Sequence, residues 1–273
     1  MSVAVFRTVD QRPAPGSMIK PGELIDVLDM ALTLADRRIY NLLIANAWDR
    51  IGDDVTHCVA KADLRGSHEG GERLADSIDR LMRTIVRVRV EQDGRPAVMK
   101  VALLSRTTEH DDAKGLLYYR LDAELRRIIQ DSRVFGRLRK EVMFAFTSKY
   151  ALALYEMGEK RRNMQFRWSE VFEIGELREL LGVKPRELTT FGNLNAWCLK
   201  PAAREVNGLA DFGIAFRPVR TGRKVTAVEL SWWRKSEDEL RAAFAEVQRH
   251  SAGRRARLSG TVEAVVLAKL AGT

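Results

Sequence analysis

The sequence is poor in the two residue types that most often bind metals, with two cysteines and four histidines among 273 residues. Cys58 and Cys198 lie far apart and make no disulfide framework, so we expect both to be small buried apolar side chains. The histidines lack metal-ligand spacing, and no Cys or His pair is spaced as in a zinc finger. They are His57, His68, His110 and His250. We therefore expect no metal site and no cofactor.

Long apolar runs are also absent. No run reaches the ~18 residues that a membrane helix needs, and the opening stretch, MSVAVFRTVDQRPAPGS, lacks the apolar core of a secretory signal. Hydrophobic residues make up 45% of the chain and charged residues 30%, as in a soluble globular protein. We therefore expect a cytoplasmic protein with no membrane partner.

Motifs of common enzyme classes are missing as well. The glycines of GSHEGGER are not followed by the Lys-Ser/Thr of a phosphate-binding loop. The acidic stretch EHDD at 109–112 is more typical of a solvated turn than of a metal site. Tyr118 and Tyr119 would suit a nicking nuclease only beside a clustered pair of histidines, which the sequence lacks. We therefore expect that the protein is not an enzyme.

Positive charge is abundant, and it is unevenly distributed. The net charge is +9 and the pI is near 9.7. Residues 1–130 carry 20 Lys/Arg and 20 Asp/Glu, whereas residues 131–273 carry 26 and 17. A basic half of this kind indicates a polyanionic partner, and we expect the second half to hold the stronger phosphate-binding surface.

Apolar periodicity predicts mixed helices and strands in both halves. In the first half we expect a flexible N-terminal arm at 1–20 and helices at 21–30 and 32–52, the second capped by Thr33 with Asp36. A short helix, a Gly-rich turn and a second helix follow within 59–90, then a β-hairpin at 84–106 around QDGR, a strand at 115–122, a helix at 123–130 and a connection at 131–146. In the second half we expect helices at 147–163, 169–183 and 189–208, a hairpin at 212–233, and a helix starting with a Ser236–Glu239 capping box.

The two halves repeat one plan. Each has a short helix, a turn, a longer helix and a hairpin whose turn contains Gly-Arg, at Gly94-Arg95 and Gly222-Arg223. A helix–turn–helix followed by a hairpin is the winged-helix arrangement, so we predict an α+β fold of two tandem winged-helix domains. The predicted divisions are an arm at 1–20, a first domain at 21–140, a second at 141–235 and a basic tail at 236–273. One larger α+β domain is the alternative.

The stretch TTFGNLNAWCLKPAAREVNG, residues 189–208, is the strongest candidate for a helix that enters the major groove of DNA. Helical spacing turns Phe191, Leu194, Cys198, Ala202 and Val206 inward. On the opposite face it places Thr190, Asn193, Trp197, Lys200 and Arg204. Asn can bond adenine, Arg can bond guanine, and Lys200 suits a phosphate.

Two features of this helix have alternatives. Pro201 removes a backbone donor and disfavours helical geometry at Lys200, so either the helix kinks there or Pro201 begins a separate helix. Trp197 is either a DNA contact or part of the core.

Further side chains are candidate DNA contacts. Ser148 and Lys149 begin a helix, where free N–H groups favour a phosphate, and Arg161 and Arg162 end it. Arg220, Arg223 and Lys224 crowd the second hairpin turn. In the first domain the candidates are Arg73, Ser77, Arg80 and Arg95, with a weaker contact or a dimerisation role for the domain. Solvated surface charge is the alternative for the arginine pair and the hairpin turn.

Four segments resemble the Rep family of iteron-binding plasmid replication initiators, which has two winged-helix domains. LTLADRRIYNLL is similar to the family's first-domain helix, and SKYALALYEM to the helix that opens its second domain. ELRELLGV with FGNLNAWCLKPAAREVN resembles its helix–turn–helix, and TGRKVTAVELSW its wing. The resemblance spans about 22–233 and leaves the tail unaligned.

The resemblance implies a DNA-binding initiator. Such proteins bind repeated double-stranded origin sequences, promote strand opening and recruit host initiator and replicative helicase. As homodimers they repress their own gene. A winged-helix transcriptional repressor is the alternative, and origin repeats beside an AT-rich segment would favour the initiator.

Overall fold

A computed structural model describes residues 6–28, 31–65, 71–110, 115–164 and 166–260, with the side chains of 71–73 excepted. Its elements follow the chain in this order: β1 (Ser17–Pro21), α1 (Gly22–Ile25), α2 (Leu34–Ala47), β2 (His57–Ala60), α3 (Lys61–Arg65), α4 (Gly71–Arg83), β3 (Ile85–Gln92), β4 (Arg95–Ala102), β5 (Leu104–Thr108), β6 (Leu116–Leu121), α5 (Ala123–Asp131), β7 (Phe135–Arg139), α6 (Lys140–Ala145), α7 (Lys149–Arg161), β8 (Ser169–Glu173), α8 (Ile174–Leu180), α9 (Phe191–Leu194), α10 (Lys200–Leu209), β9 (Phe212–Thr221), β10 (Lys224–Arg234), α11 (Glu237–Gln248) and α12 (Arg254–Leu258). Within these ranges no helix is long and apolar enough to cross a membrane.

The first winged-helix unit contains α3, α4 and the β3–β4 hairpin. Thr33 and Asp36 form the predicted capping box at the start of α2. The hairpin turns at Asp93 and Gly94, whose φ angles of 52° and 71° suit the tight turn that an Asp-Gly pair favours. The strand predicted at 115–122 is β6, and it pairs with β2 and β5 in a separate three-stranded sheet.

The N-terminal arm is partly folded, which corrects its predicted extent of 1–20. Residues Ser17–Pro21 form β1, which pairs antiparallel with β7 in the segment that was predicted to be a connection. Met18, Ile19 and Lys20 are buried. The arm prediction was wrong here because the partner of this strand lies more than a hundred residues away in the sequence.

The second unit contains α8, helix 191–209 and the β9–β10 hairpin. The helix predicted at 169–183 starts only at Ile174, because Ser169–Glu173 is a strand that pairs with β10 and makes the sheet three-stranded, in the order β8-β10-β9. The turn between β9 and β10 consists of Gly222 and Arg223, and Gly222 has a φ of 61°. Ser148 is the N-cap residue of α7.

Helix 191–209 runs through Pro201 without restarting. It consists of α9, a π-helical segment at Asn195–Leu199, and α10, and Lys200 keeps helical φ and ψ of −60° and −49°. A π segment closes wider turns, with i→i+5 hydrogen bonds. The wide turn therefore lies directly before the proline, where the regular hydrogen-bond pattern has to change. The helical backbone through Lys200 contradicts a separate helix that begins at Pro201, whereas the predicted kink stays a prediction.

The tail is folded as far as residue 260. Ser236 and Glu239 form the predicted capping box of α11, and the buried Arg254 donates to Ala145 O at 2.8 Å. Most buried apolar residues of both units belong to one continuous core cluster. Cys198 lies in this core, and burial raises the pKa of its thiol to about 12, whereas Cys58 is exposed, contrary to expectation.

Candidate nucleic-acid interface

Helix 191–209 has one buried face and one exposed face. Leu194, Cys198, Ala202 and Val206 are completely buried, as predicted, and Phe191 is partly buried against the same core. The buried residues advance in steps of four, whereas an α-helix turns every 3.6 residues. The wide π turn at 195–199 helps to keep this stripe on one side.

The opposite face carries the side chains that were predicted to contact DNA. Thr190, Asn193, Trp197, Lys200 and Arg204 are all exposed. Trp197 is 67% exposed, which rules out a core position. Among the described residues, the side chains of Asn193, Trp197, Lys200 and Arg204 have no hydrogen-bond or ion-pair partner. The structure thus confirms the predicted face, and DNA contact by its members stays a prediction.

The turn before this helix is held rigidly. Gly182, with a φ of 69°, ends α8 in a Schellman arrangement, since its N–H donates to Glu179 O and Val183 N–H donates to Arg178 O. The Arg178 guanidinium donates to Leu188 O and Glu187 O. Thr190 then caps the helix by accepting from Asn193 N at 3.2 Å.

Lys149 contributes to the same turn. Its ammonium donates to Gly182 O at 3.1 Å and lies 4.9 Å from the centre of the Tyr150 ring. Burial lowers the pKa of this half-buried lysine. Ser148 caps α7 by accepting from Tyr150 N. Both residues thus have structural roles, and their predicted phosphate contact stays a prediction.

The second hairpin forms a basic wing beside the helix. Arg220, Arg223 and Lys224 are exposed, and Arg220 donates to Arg223 O at 3.2 Å. Arg223 and Lys224 line an open groove together with Thr190 and Phe191 at the start of the helix. The structure therefore brings the predicted wing cations next to the N-terminal end of helix 191–209.

Arg161 and Arg162 do not belong to this surface, which corrects their prediction as DNA contacts. Arg161 is 3% exposed, donates to both carboxylate oxygens of Asp26 at 2.9 Å and to Glu170 at 2.6 Å, and stacks on Phe172. Arg162 pairs with Asp211 and Glu159. Asp26 and Glu170 neutralise Arg161, and Asp211 neutralises the partly buried Arg162, so neither charge is free to bind a phosphate.

The first-unit candidates are mostly engaged as well. Ser77 is completely buried, so its prediction as a DNA contact was wrong. Arg80 forms a bidentate ion pair with the buried Asp36, at 2.9 and 2.7 Å, which corrects its prediction as a DNA contact. The Arg73 side chain lies outside the described residues. Arg95 is exposed at the tip of the first wing, with no ion pair to the described residues.

Sequence reasoning missed two groups of residues. Lys184 and Arg186 are exposed in the turn before helix 191–209, and the basic run KPR at 184–186 is a signal that could have identified them. Arg87 and Arg89 on β3 pair with Glu179 and Glu176 on α8, at 2.6 and 2.7 Å. These two pairs join the first wing to the second helix–turn–helix, and no local pattern predicts them.

Comparison with known proteins agrees with this geometry. Residues 17–159 match the family model described as "Initiator Replication protein, WH1", which covers more than half of the chain, and residues 173–232 match "Initiator Rep protein, WH2". No curated protein matches the sequence.

Several solved structures are similar. The Pi initiator protein in complex with iteron DNA is 15% identical, with a TM-score of 0.54 over 81% of this chain and 98% of that chain. The WH1 domain of a replication protein isolated from a multiple sclerosis patient is 14% identical, with a TM-score of 0.29 over 36% and 80%. Domains 2 and 3 of RctB are also 14% identical, with a TM-score of 0.36 over 81% and 87%. Only the first TM-score indicates a shared overall fold. With both of its winged-helix units matched by the family models, the chain belongs to the initiator replication protein family.

Proposed function

We propose that the protein initiates plasmid replication by binding repeated double-stranded DNA sequences at the origin, with helix 191–209 in the major groove. One observation carries the proposal: the exposed face of this helix holds Asn193, Lys200 and Arg204 without partners among the described residues. An amide and two cations with free donors match the acceptors of base edges and phosphates. Membership of the initiator family supports the same function.

The surroundings of the helix fit a duplex. The wing cations stand beside its N-terminal end, and a major groove about 12 Å wide admits an α-helix. The ion pairs of Arg87 and Arg89 with α8 fix the first wing against the second unit, so both wings would meet one duplex in a set arrangement. The similar Pi initiator protein was crystallised with iteron DNA.

Origin opening, recruitment of the host initiator and replicative helicase, and autorepression as a dimer are further parts of the proposal. They follow from the family resemblance. One observation on the first unit supports dimerisation through it: Ile85 and Val98 on the β3–β4 hairpin are more than half exposed. Such apolar groups favour contact with another protein surface. We also propose that the protein acts by binding rather than by catalysis, and that it works in the cytoplasm, where a plasmid origin is located.

A footprinting experiment with the full chain on the origin of its own plasmid tests the proposal. We expect protection of several repeated segments, with the same affinity in the presence and absence of ATP and of a metal chelator. Protection of a single operator would favour the alternative, a transcriptional repressor. No protection anywhere on the replicon would contradict both functions, and a requirement for ATP or metal would contradict action by binding alone.

A further inference from the structure

Trp197 is an unusual residue for the place it occupies. Its indole is 67% exposed on the helix face that otherwise carries polar and charged groups, and it packs into no core cluster. It lies inside the π-helical segment at Asn195–Leu199, where the backbone departs from the regular α-helical path. Burying a tryptophan is strongly favourable, so a partner that offers an apolar group to this face would bind it more tightly.

The neighbours of Trp197 narrow the chemistry of that partner. Asn193 lies four residues before it and Lys200 three residues after it, so all three share one side of the helix. Both neighbours are exposed and polar. An apolar protein partner would have to bury them without hydrogen bonds, at a cost. The major groove of DNA can form hydrogen bonds with both of these side chains, and it also presents an apolar group beside them.

That apolar group is the C5-methyl of thymine, the one apolar feature among the base edges of the major groove. An indole has a single N–H donor and no acceptor, so it is poorly suited to read a cytosine amino group. We infer that Trp197 reads thymine by contact with its methyl group, an inference that rests on the proposed function. Asn193, one turn earlier, is then placed to read an adenine, so the helix recognises A·T pairs along its first half.

The test can begin before the recognition sequence is known. The full-length protein selects duplexes from a randomised 30-base-pair pool (about three helical turns), and the enriched duplex is remade with deoxyuridine at one thymine at a time. This substitution removes only the methyl group. At one or two positions we expect the affinity of the natural protein to fall about fourfold, the effect of losing one buried methyl.

Variants assign this loss to the indole. Trp197→Ala should bind the thymine duplex several-fold more weakly and show no further loss with deoxyuridine, whereas Trp197→Phe should keep part of the methyl dependence. Phe244→Ala is the matched control, because Phe244 is also an exposed aromatic residue, 55% exposed, but lies on α11 and not on helix 191–209. It should keep both the affinity and the deoxyuridine effect. Since Trp197 is on the surface, thermal melting should be the same for the natural protein and Trp197→Ala.

Three results would overturn the inference. If no deoxyuridine substitution changed the affinity of the protein for the enriched duplex, then no thymine methyl group would be read. A deoxyuridine effect of unchanged size in Trp197→Ala would assign the methyl contact to another residue. Unchanged affinity of Trp197→Ala would place the indole outside the DNA interface, as expected for a protein-docking residue. These leave the proposed function intact, whereas a pool that yields no enriched sequence would overturn the proposed function itself.

Discussion

The Lys20 ammonium donates a hydrogen bond of 2.9 Å to Glu156, and both side chains are completely buried. Glu156 also accepts from Arg37 at 2.8 Å and from Asn41 at 2.7 Å. Burial alone would raise the pKa of Glu156, but the charges of Lys20 and Arg37 hold it below its ordinary value. Burial lowers the pKa of Lys20 to about 8. One carboxylate on α7 therefore ties β1 and α2 together.

Glu156→Gln should lower the free energy of unfolding by about 3–5 kcal/mol, because two buried cations lose the carboxylate that they share. Urea denaturation at neutral pH measures this change. Asp54→Asn is the control. Asp54 pairs with two arginines but is 70% exposed, so its substitution should lower the free energy of unfolding by no more than about 1 kcal/mol. Equal effects of the two variants would contradict a structural role for the buried network.

Glu159 should make the stability depend on pH. Burial raises its pKa to about 8, although Arg162 lies 3.3 Å away and opposes the shift. The neutral carboxyl is favoured in the folded state, so its contribution is fully present below the unfolded pKa of about 4.5 and is lost as the pH rises through about 8. Glu159→Gln imitates the neutral acid and should therefore lose less stability than the natural protein between pH 5 and pH 8.

Urea unfolding at several pH values in this window checks the prediction. Glu237→Gln, a change at an exposed position on α11, should follow the natural protein at every pH. If the stability of Glu159→Gln changed with pH in the same way as that of the natural protein, Glu159 would have to be ionised in the folded state.

The structure separates what the sequence could predict from what it could not. The hairpin around QDGR, although its turn lies at Asp93-Gly94 and not at Gly94-Arg95, and the buried stripe from Leu194 to Val206 were predicted correctly. Turn chemistry and helical spacing act over a few residues. The assignment of Arg161 failed because its partner, Asp26, lies 135 residues away, and no local pattern shows that two charges will meet. Strands β1 and β7 were missed for the same reason.

Arg204→Ala should weaken binding to the selected duplex by about 1–3 kcal/mol if the guanidinium reads a base. It is exposed and has no partner among the described residues, so the fold should be unaffected. Titration of selected and scrambled duplexes at one salt concentration measures the effect. An equal loss on both would reassign Arg204 to a phosphate.

Lys224→Ala should weaken binding to all sequences alike and reduce the slope of log affinity against log salt by about one, because one phosphate contact is lost. Arg241→Ala is the matched control, since Arg241 is exposed on α11 and pairs with Glu237. A salt series from low to physiological ionic strength gives both slopes. If the two variants had the same slope, Lys224 would lie outside the interface.

The wide turn in helix 191–209 limits how this surface can evolve. Losing one residue between 195 and 199 would restore ordinary α-helical winding and rotate Thr190 and Asn193 by about 100° relative to Lys200 and Arg204. The same rotation would carry Leu194 out of the core, where it is completely buried. A deletion here would therefore disturb both folding and recognition. We expect a new target sequence to be acquired by exchange of exposed side chains at a constant helix length.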